Sequence, residues 1–252
     1  MTKLNKNTYF SPKNKYLSNS KIRDFAKDKA YFFEKHIIGS HDPFKKTSSM
    51  IVGSAVDLWL TSSEKAFRDT YTLVSRRDTS DEYQLNPAMY KEVEDICNIV
   101  SSQEAFKALK GYKTQKILQF DTPIGEHFEG LCGIPDFLKI KDNKAIIVDL
   151  KTSANVNPDK YYWTCVSYGY FQQAAMYIKL VEFNNPTVTD IEFWHLVVDS
   201  TNILHPVYTF KFTKEELDKA DRVLELYINE ITNEKDFLPR NVSWDDARII
   251  GQ

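Results

Sequence analysis

Apolar residues recur at helical spacing over residues 21–36. Ile22, Phe25, Ala26, Phe32 and Phe33 make one side of a helix that Ser18 or Ser20 would cap. A second run, from Ser48 or Ser49 to Leu60, is apolar nearly all round and predicts a buried helix. Ser62 would cap a short helix over 64–68, residues 70–86 are polar and irregular, and a long amphipathic helix over 88–110 would stop at Gly111. The pattern then changes to strand character over 114–122, 128–140 and 145–152. An aromatic-rich helix over 161–182 follows, then strands over 191–198 and 206–212. The run Thr213-Lys214-Glu215-Glu216 reads as a capping box opening a last helix to residue 231. This order predicts an α/β (α+β) fold with a central mixed β-sheet flanked by helices. One domain over 16–238 is expected, between a flexible polar arm over 1–15 and a tail over 239–252.

Composition narrows the function classes. The 252 residues hold 33 Lys plus Arg against 35 Asp plus Glu, a net charge of −2. A balance so near zero argues against a polybasic nucleic-acid coat protein, though not against local DNA contacts. No run of about 18 apolar residues predicts a membrane span, and the Lys/Asn-rich start lacks the apolar core of a signal peptide. Cys97, Cys132 and Cys165 are odd in number and far apart, so neither a disulfide framework nor a four-cysteine metal site is expected. A cytoplasmic protein is the expectation. The five histidines are scattered without ligand spacing and receive no role.

The richest stretch for chemistry runs from Gly133 to Thr152. With a two-residue turn at Asp142-Asn143, Lys141 faces Lys144 and paired residue numbers sum to 285. Asp136 then stands opposite Asp149, with Cβ atoms about 4.5–5.5 Å apart, and Lys151 shares their face. Leu138, Ile140, Ala145 and Ile147 fill that face further along, while Phe137, Val148 and Leu150 line the other. Two opposed carboxylates repel, more so beside buried surface, and a divalent cation between them removes the repulsion. Oxygen donors select Mg²⁺ or Mn²⁺ over zinc. A neighbouring lysine can orient a water or stabilise charge on a phosphoryl oxygen. A plain cross-strand ion pair of Asp136 with Lys151 is the alternative.

Gly133-Ile134-Pro135-Asp136, then twelve residues, then Asp149-Leu150-Lys151, resembles the signature of the PD-(D/E)xK nuclease superfamily. Gln173-Ala174-Ala175-Met176-Tyr177 resembles the Gln-x-x-x-Tyr motif of its RecB-like branch, and the run from Tyr168 to Tyr177 resembles the exonuclease VIII (RecE-type) phage subgroup. Gly53-Ser54-Ala55-Val56-Asp57 falls where that branch has Gly-x-x-x-His, with Asp57 replacing the histidine. The start Tyr16-Leu17-Ser18-Asn19-Ser20 is similar as well. The resemblance spans residues 16–232 and implies a restriction-endonuclease-like core.

The resemblance implies a Mg²⁺-dependent DNA exonuclease, with Mn²⁺ substituting and no iron–sulfur cluster. Asp136, Asp149, Lys151, Asp57 and the Leu150 carbonyl are its implied catalytic and metal-binding groups. Gln173 and Tyr177 share a helix face and would position substrate; a Tyr177 hydroxyl tied to backbone is the other reading. The subgroup often carries a Glu before the Pro-Asp, where this chain has Gln115 or Gln119. Arg23, Arg76 and Arg77 are candidate phosphate contacts. The resemblance further implies 5′-to-3′ digestion of linear duplex DNA from its ends, a phage recombination setting, a ring-shaped homo-oligomer and a single-strand annealing partner. A structure-selective endonuclease with the same site, a catalytically degenerate DNA-end-binding module, and an unrelated α/β binding protein are the rival readings.

Overall fold

The computed structural model describes residues 3–40, 45–78 and 81–234. A short helix α1 (Lys6–Tyr9) precedes strand β1 (Tyr16–Leu17), then helices α2 (Asn19–Lys27) and α3 (Lys29–Phe33), the latter running into a π-turn over Glu34–Ile38. Helices α4 (Ser48–Thr61) and α5 (Glu64–Thr70) follow, with strands β2 (Thr72–Leu73) and β3 (Gln84–Leu85), then α6 (Pro87–Ser102) and α7 (Glu104–Lys107). The strand-rich middle is β4 (Lys113–Thr114), β5 (Leu118–Ile124), β6 (Phe128–Gly133), β7 (Phe137–Lys141) and β8 (Lys144–Ser153). Helices α8 (Pro158–Tyr168) and α9 (Tyr170–Asn184), strands β9 (Asp190–Asp199) and β10 (Val207–Lys211) and helix α10 (Lys214–Asn233) complete the described chain.

The expected mixed sheet is present, in the order β10-β9-β8-β7-β4, with β8 and β9 parallel and the other neighbours antiparallel. A second sheet, β1-β6-β5, takes the upstream strands. Each face of the five-stranded sheet has its own core. Leu138, Ala145 and Ile147 join Leu17, Phe25, Ala174, Leu180 and Leu224, which come from β1, α2, α9 and α10. Phe137, Val148 and Leu150 join Ile51, Val56, Phe67, Val93 and Ile96 from α4, α5 and α6. The alternation along the hairpin therefore sends its two residue sets into two separate cores. Fully burying one such side chain contributes about 1.5–3 kcal/mol.

Four elements that read as continuous in the sequence are broken. The helix over 21–36 is interrupted at Asp28, whose side chain accepts from the Tyr31 N–H and starts α3 afresh. The helix over 161–182 is cut at Gly169, where φ is 68°. The strand over 128–140 is two strands in different sheets, joined through Ile134-Pro135-Asp136. Likewise 114–122 divides into β4 and β5 around Gln115, which takes a left-handed φ of 48°. The helix over 88–110 is also shorter, ending at Ser102 before the separate turn of α7. Only the Thr213 half of the expected capping box forms, since the Glu216 carboxylate turns to Lys219.

The polar composition of residues 1–15 predicts a flexible arm. Its described part, from residue 3, instead docks on the three-stranded sheet. The Leu4 N–H donates to Gln119 Oε1 at 2.8 Å, and Asn14 turns its amide to the Tyr9 carbonyl at 2.8 Å. The segment 70–86, read as irregular, contributes the parallel pair β2-β3. The tail over 239–252 and the end of the expected domain lie outside the described residues. Among the described residues no helix is long and apolar enough to cross a membrane.

Candidate active site

The β7-β8 hairpin has the register its turn implies. Lys141 pairs with Lys144, the series runs to Phe137 with Val148, and Asp142 takes the left-handed φ of 53°. The ladder ends one pair short of the two aspartates. Asp136 lies just outside β7, and its Oδ2 accepts the Leu150 N–H at 2.7 Å. Its Oδ1 accepts from Gln115 Nε2 at 3.1 Å, and its backbone carbonyl accepts the Gln115 N–H at 3.1 Å. The carboxylate thus ties the middle of β8 to the residue that follows β4 instead of simply facing Asp149.

The turn that delivers Asp136 is held from behind. Tyr177 donates its hydroxyl to the Ile134 carbonyl at 3.0 Å and accepts from Gln173 Nε2 at 3.1 Å. Its ring lies so close to Gly133 that a Cβ there would come within 2.7 Å of Cε1. Of the two readings left open for Tyr177, the hydroxyl tied to backbone is the one found. Gln173 is attached to that tyrosine. Both motif residues act on the path of the chain into Asp136.

Helix α4 brings the third acid. Thr47 caps it through the Met50 N–H, and it presses on β8 at Gly53, where an added Cβ would stand 3.2 Å from Thr152 Oγ1. One turn on, Asp57 Oδ2 receives Gln115 Nε2 at 3.5 Å, while Oδ1 is buried with no hydrogen-bond partner. Gln115 therefore spans Asp57 and Asp136. Of the two glutamines considered in the sequence, it is the one in the cluster. Gln119 instead bonds Tyr16, Asp121 and Leu4.

Asp149 is almost fully buried on β8 and forms an ion pair with Lys151. Its Oδ2 meets that ammonium and lies 4.0 Å from His195 Nε2. The Lys151 ammonium also sits over the Tyr170 ring, 4.7 Å from its centroid. The expected alternative, an Asp136–Lys151 pair, is replaced by this neighbouring one on the same strand face. Leu150 gives its N–H to Asp136 and its side chain to the α4–α6 core.

Crowding of three acids sets the electrostatics. Burial, then the charges of Asp149 and Asp57, push the Asp136 carboxyl well above the usual carboxylate range. Burial and Asp149 push Asp57 up to about 6, against the opposing pull of Lys151. Burial alone would lower Lys151, but the Asp149 charge, with Tyr170 and Asp136, holds it above its ordinary value. Lys151 is a cation here and cannot serve as a proton acceptor.

Of the candidate phosphate contacts, Arg23 on α2 lies beside Gly169, and its buried Nε has no hydrogen-bond partner. Arg76 is exposed, and Arg77 Nε donates to the Asp81 carbonyl at 3.5 Å. Both belong to the segment between β2 and β3, and neither bonds Asp57, Asp136 or Asp149. Sequence reasoning assigned no role to Tyr161, Tyr170 or His195, which the structure places behind Asp149 and Lys151. No spacing marks His195, yet it pairs with Asp149 across the parallel β8-β9 ladder. Only strand order, which local pattern does not encode, brings it there.

The donor set is all oxygen, as a hard cation requires, and Asp57 Oδ1 is a buried oxygen with no protein partner. Mutual repulsion of the acids would be relieved by a divalent charge. As placed, no three Asp, Glu, His or Cys side chains among the described residues already form a ligating group. The Leu150 N–H, the Gln115 amide and Lys151 hold the oxygens instead. The residues fit a cation by chemistry, and they stand as a protein-satisfied cluster rather than a finished cage.

A mixed sheet whose hairpin carries Pro135-Asp136 and Asp149-Leu150-Lys151 at one edge of two cores is the fold of the PD-(D/E)xK nucleases. The chain belongs to the family described as "PDDEXK-like domain of unknown function (DUF3799)", whose model matches residues 18–236. Among solved structures it is similar to one from Eubacterium rectale named "Putative exonuclease". The two share 20% identity over 92% of this chain and 88% of that one, at a TM-score of 0.68, which supports the shared fold. A second structure, SSO0001, has 14% identity over 86% of this chain and 87% of that one, with a TM-score of 0.34. A search of curated proteins finds no match.

Proposed function

We propose that the chain is a Mg²⁺-dependent deoxyribonuclease that digests linear duplex DNA from its ends, in the 5′-to-3′ direction. The observation that carries this reading is the convergence of Asp57, Asp136 and Asp149 with Lys151 at one end of β8, in a family whose fold is that of nucleases. Asp136, Asp149, Asp57 and the Leu150 carbonyl would hold the cation. When bound it would polarise the scissile phosphate, lower the pKa of a bound water and stabilise the leaving 3′ oxygen.

The chain's own residues supply positioning and charge. Lys151, kept protonated by Asp149, donates hydrogen bonds to the attacking water or a phosphoryl oxygen. Its stack on Tyr170 limits the directions in which the ammonium can point. Gln115 orients Asp57 and Asp136 together. Tyr177 and Gln173 fix the Ile134 carbonyl and, through it, the backbone leading to Asp136. Arg23, whose buried Nε has no protein partner, is proposed as a phosphate contact.

The test is digestion of linear, 5′-phosphorylated duplex DNA with Mg²⁺ or Mn²⁺, with closed circular DNA alongside. Loss of the linear substrate alone, abolished in Lys151→Ala and Asp149→Ala, is the expected result. Cutting of circles would replace the exonuclease by an endonuclease using the same site. DNA binding without cleavage, unchanged in both variants, would leave a binding module.

A further inference from the structure

Behind Asp149, His195 Nε2 is buried with no hydrogen-bond partner and faces Asp149 Oδ2, the oxygen that also takes the Lys151 ammonium. Nε2 and Oδ2 are 4.0 Å apart. No water fits on the line between them, since it would need about 2.7–3.2 Å to each side. The other imidazole nitrogen is engaged. His195 Nδ1 lies 2.6 Å from the Tyr161 hydroxyl. The imidazole is walled in by Tyr170, Phe193 and Phe212, with centroids 4.7–5.3 Å from its own. Enclosure among these rings disfavours a charged imidazole. A neutral imidazole has one donor and one acceptor, and the bond at one nitrogen fixes the proton on the other.

We infer that Tyr161 and His195 form a buried positioning relay for Asp149. The Tyr161 hydroxyl donates to Nδ1, which leaves the ring proton on Nε2, aimed at Asp149 Oδ2. The strand order makes the relay possible, because parallel pairing sets His195 directly beside Asp149. The relay and Lys151 converge on the same oxygen, Asp149 Oδ2, one from the core and the other from the site. A carboxylate supported in this way keeps its orientation when the lysine turns toward a substrate. Partners at this remove from a metal commonly change its affinity about 10–100-fold when lost. The opposite tautomer would aim a bare nitrogen lone pair at a carboxylate oxygen inside the core.

The consequence for cation binding rests on the proposed function, whereas the tautomer does not. Tyr161→Phe is the sharpest variant, since it removes only the hydroxyl and keeps the ring stacked on Phe210 at 4.6 Å. His195→Met removes the relay, and His195→Gln tests rescue by a side chain that still donates. Long-range ¹H–¹⁵N spectra of metal-free protein labelled at its five histidines read the tautomer directly, with the His195 signals assigned by their loss in His195→Gln. Mn²⁺ affinity without DNA, by electron paramagnetic resonance, reads the consequence.

The expected results are a neutral Nε2–H ring in the wild type and a mixture of tautomers in Tyr161→Phe. Mn²⁺ binding should weaken about tenfold in Tyr161→Phe and His195→Met, and less in His195→Gln. An Nδ1–H ring in the wild type, or a tautomer indifferent to Tyr161→Phe, overturns the relay. A tautomer that shifts while Mn²⁺ affinity holds overturns the positioning role. Failure of the wild type to bind Mn²⁺ counts against the metal reading alone, and the spectra still decide the relay.

Discussion

Replacing Asp57 with asparagine should stabilise the metal-free protein at neutral pH. Asp57 is raised from the ordinary 3.8 to about 6, by burial first and by Asp149 next. Between those two values the folded state keeps a proton that the unfolded chain has released. The unfolded state therefore binds fewer protons, and stability falls as pH rises through this window, the reverse of a salt-bridged carboxylate. Above pH 6 the accumulated penalty is about 3 kcal/mol as an upper bound. The substituted amide carries no charge, so it avoids that penalty while keeping an oxygen for the Gln115 amide. With part of the gain lost to imperfect packing, the expectation is about 2 kcal/mol, or about 4–8 °C in Tm for a chain of this size. The assay is thermal unfolding in EDTA from pH 4 to 8, wild type against Asp57→Asn. The two curves should meet near pH 4 and separate as pH rises, with the variant on top. With saturating Mn²⁺ the order should reverse, because the variant has lost a charged ligand. A variant no more stable than wild type at pH 7.5 in EDTA would refute the reasoning, as would a stability difference that does not change with pH.

Other substitutions probe the neighbours of the cluster. Gly133→Ala would push a methyl into the Tyr177 ring at 2.7 Å, and urea unfolding should show a loss of about 1–3 kcal/mol. Tyr177→Phe leaves the buried Ile134 carbonyl without its donor, which should cost about 1–3 kcal/mol in the same assay and lower nuclease turnover as the turn into Asp136 loosens. Gln115→Glu adds a fourth carboxyl between Asp57 and Asp136, so Tm in EDTA should fall at pH 8 and recover with Mn²⁺, with tighter Mn²⁺ binding by calorimetry.

What could be seen in the chain beforehand was whatever local chemistry determines. The hairpin register followed from Asp142-Asn143, and with it the assignment of Leu138 and Ile147 to one core and Phe137 and Val148 to the other. The Gly53–Asp57 segment could be placed at the site only through its resemblance to a family motif; the structure adds that Gly53 lets α4 approach β8 closely. Breaks were harder to read. The apolar alternation through Cys132, Ile134 and Leu138 does not show that the chain changes sheets at Pro135. A single glycine inside an aromatic run did not show that the chain turns from α8 to α9 at Gly169. The part played by Tyr177 hung on which carbonyl its hydroxyl would meet, a tertiary fact. His195 shows the limit most clearly. Its place beside Asp149 depends on β9 pairing in parallel with β8 across an intervening pair of helices. Nothing in the residues around position 195 announces that pairing.

The nuclease reading stands on the acids of β8, α4 and the turn before β7 holding a hard divalent cation. The most direct measurement is anomalous diffraction from crystals of the wild-type protein soaked in Mn²⁺. A peak should lie against carboxylate oxygens of Asp136 and Asp149, with Lys151 turned from Asp149, at metal–oxygen distances of about 2.0–2.4 Å. Saturating Mn²⁺ that leaves no peak at these residues, with Lys151 still paired to Asp149, would contradict it.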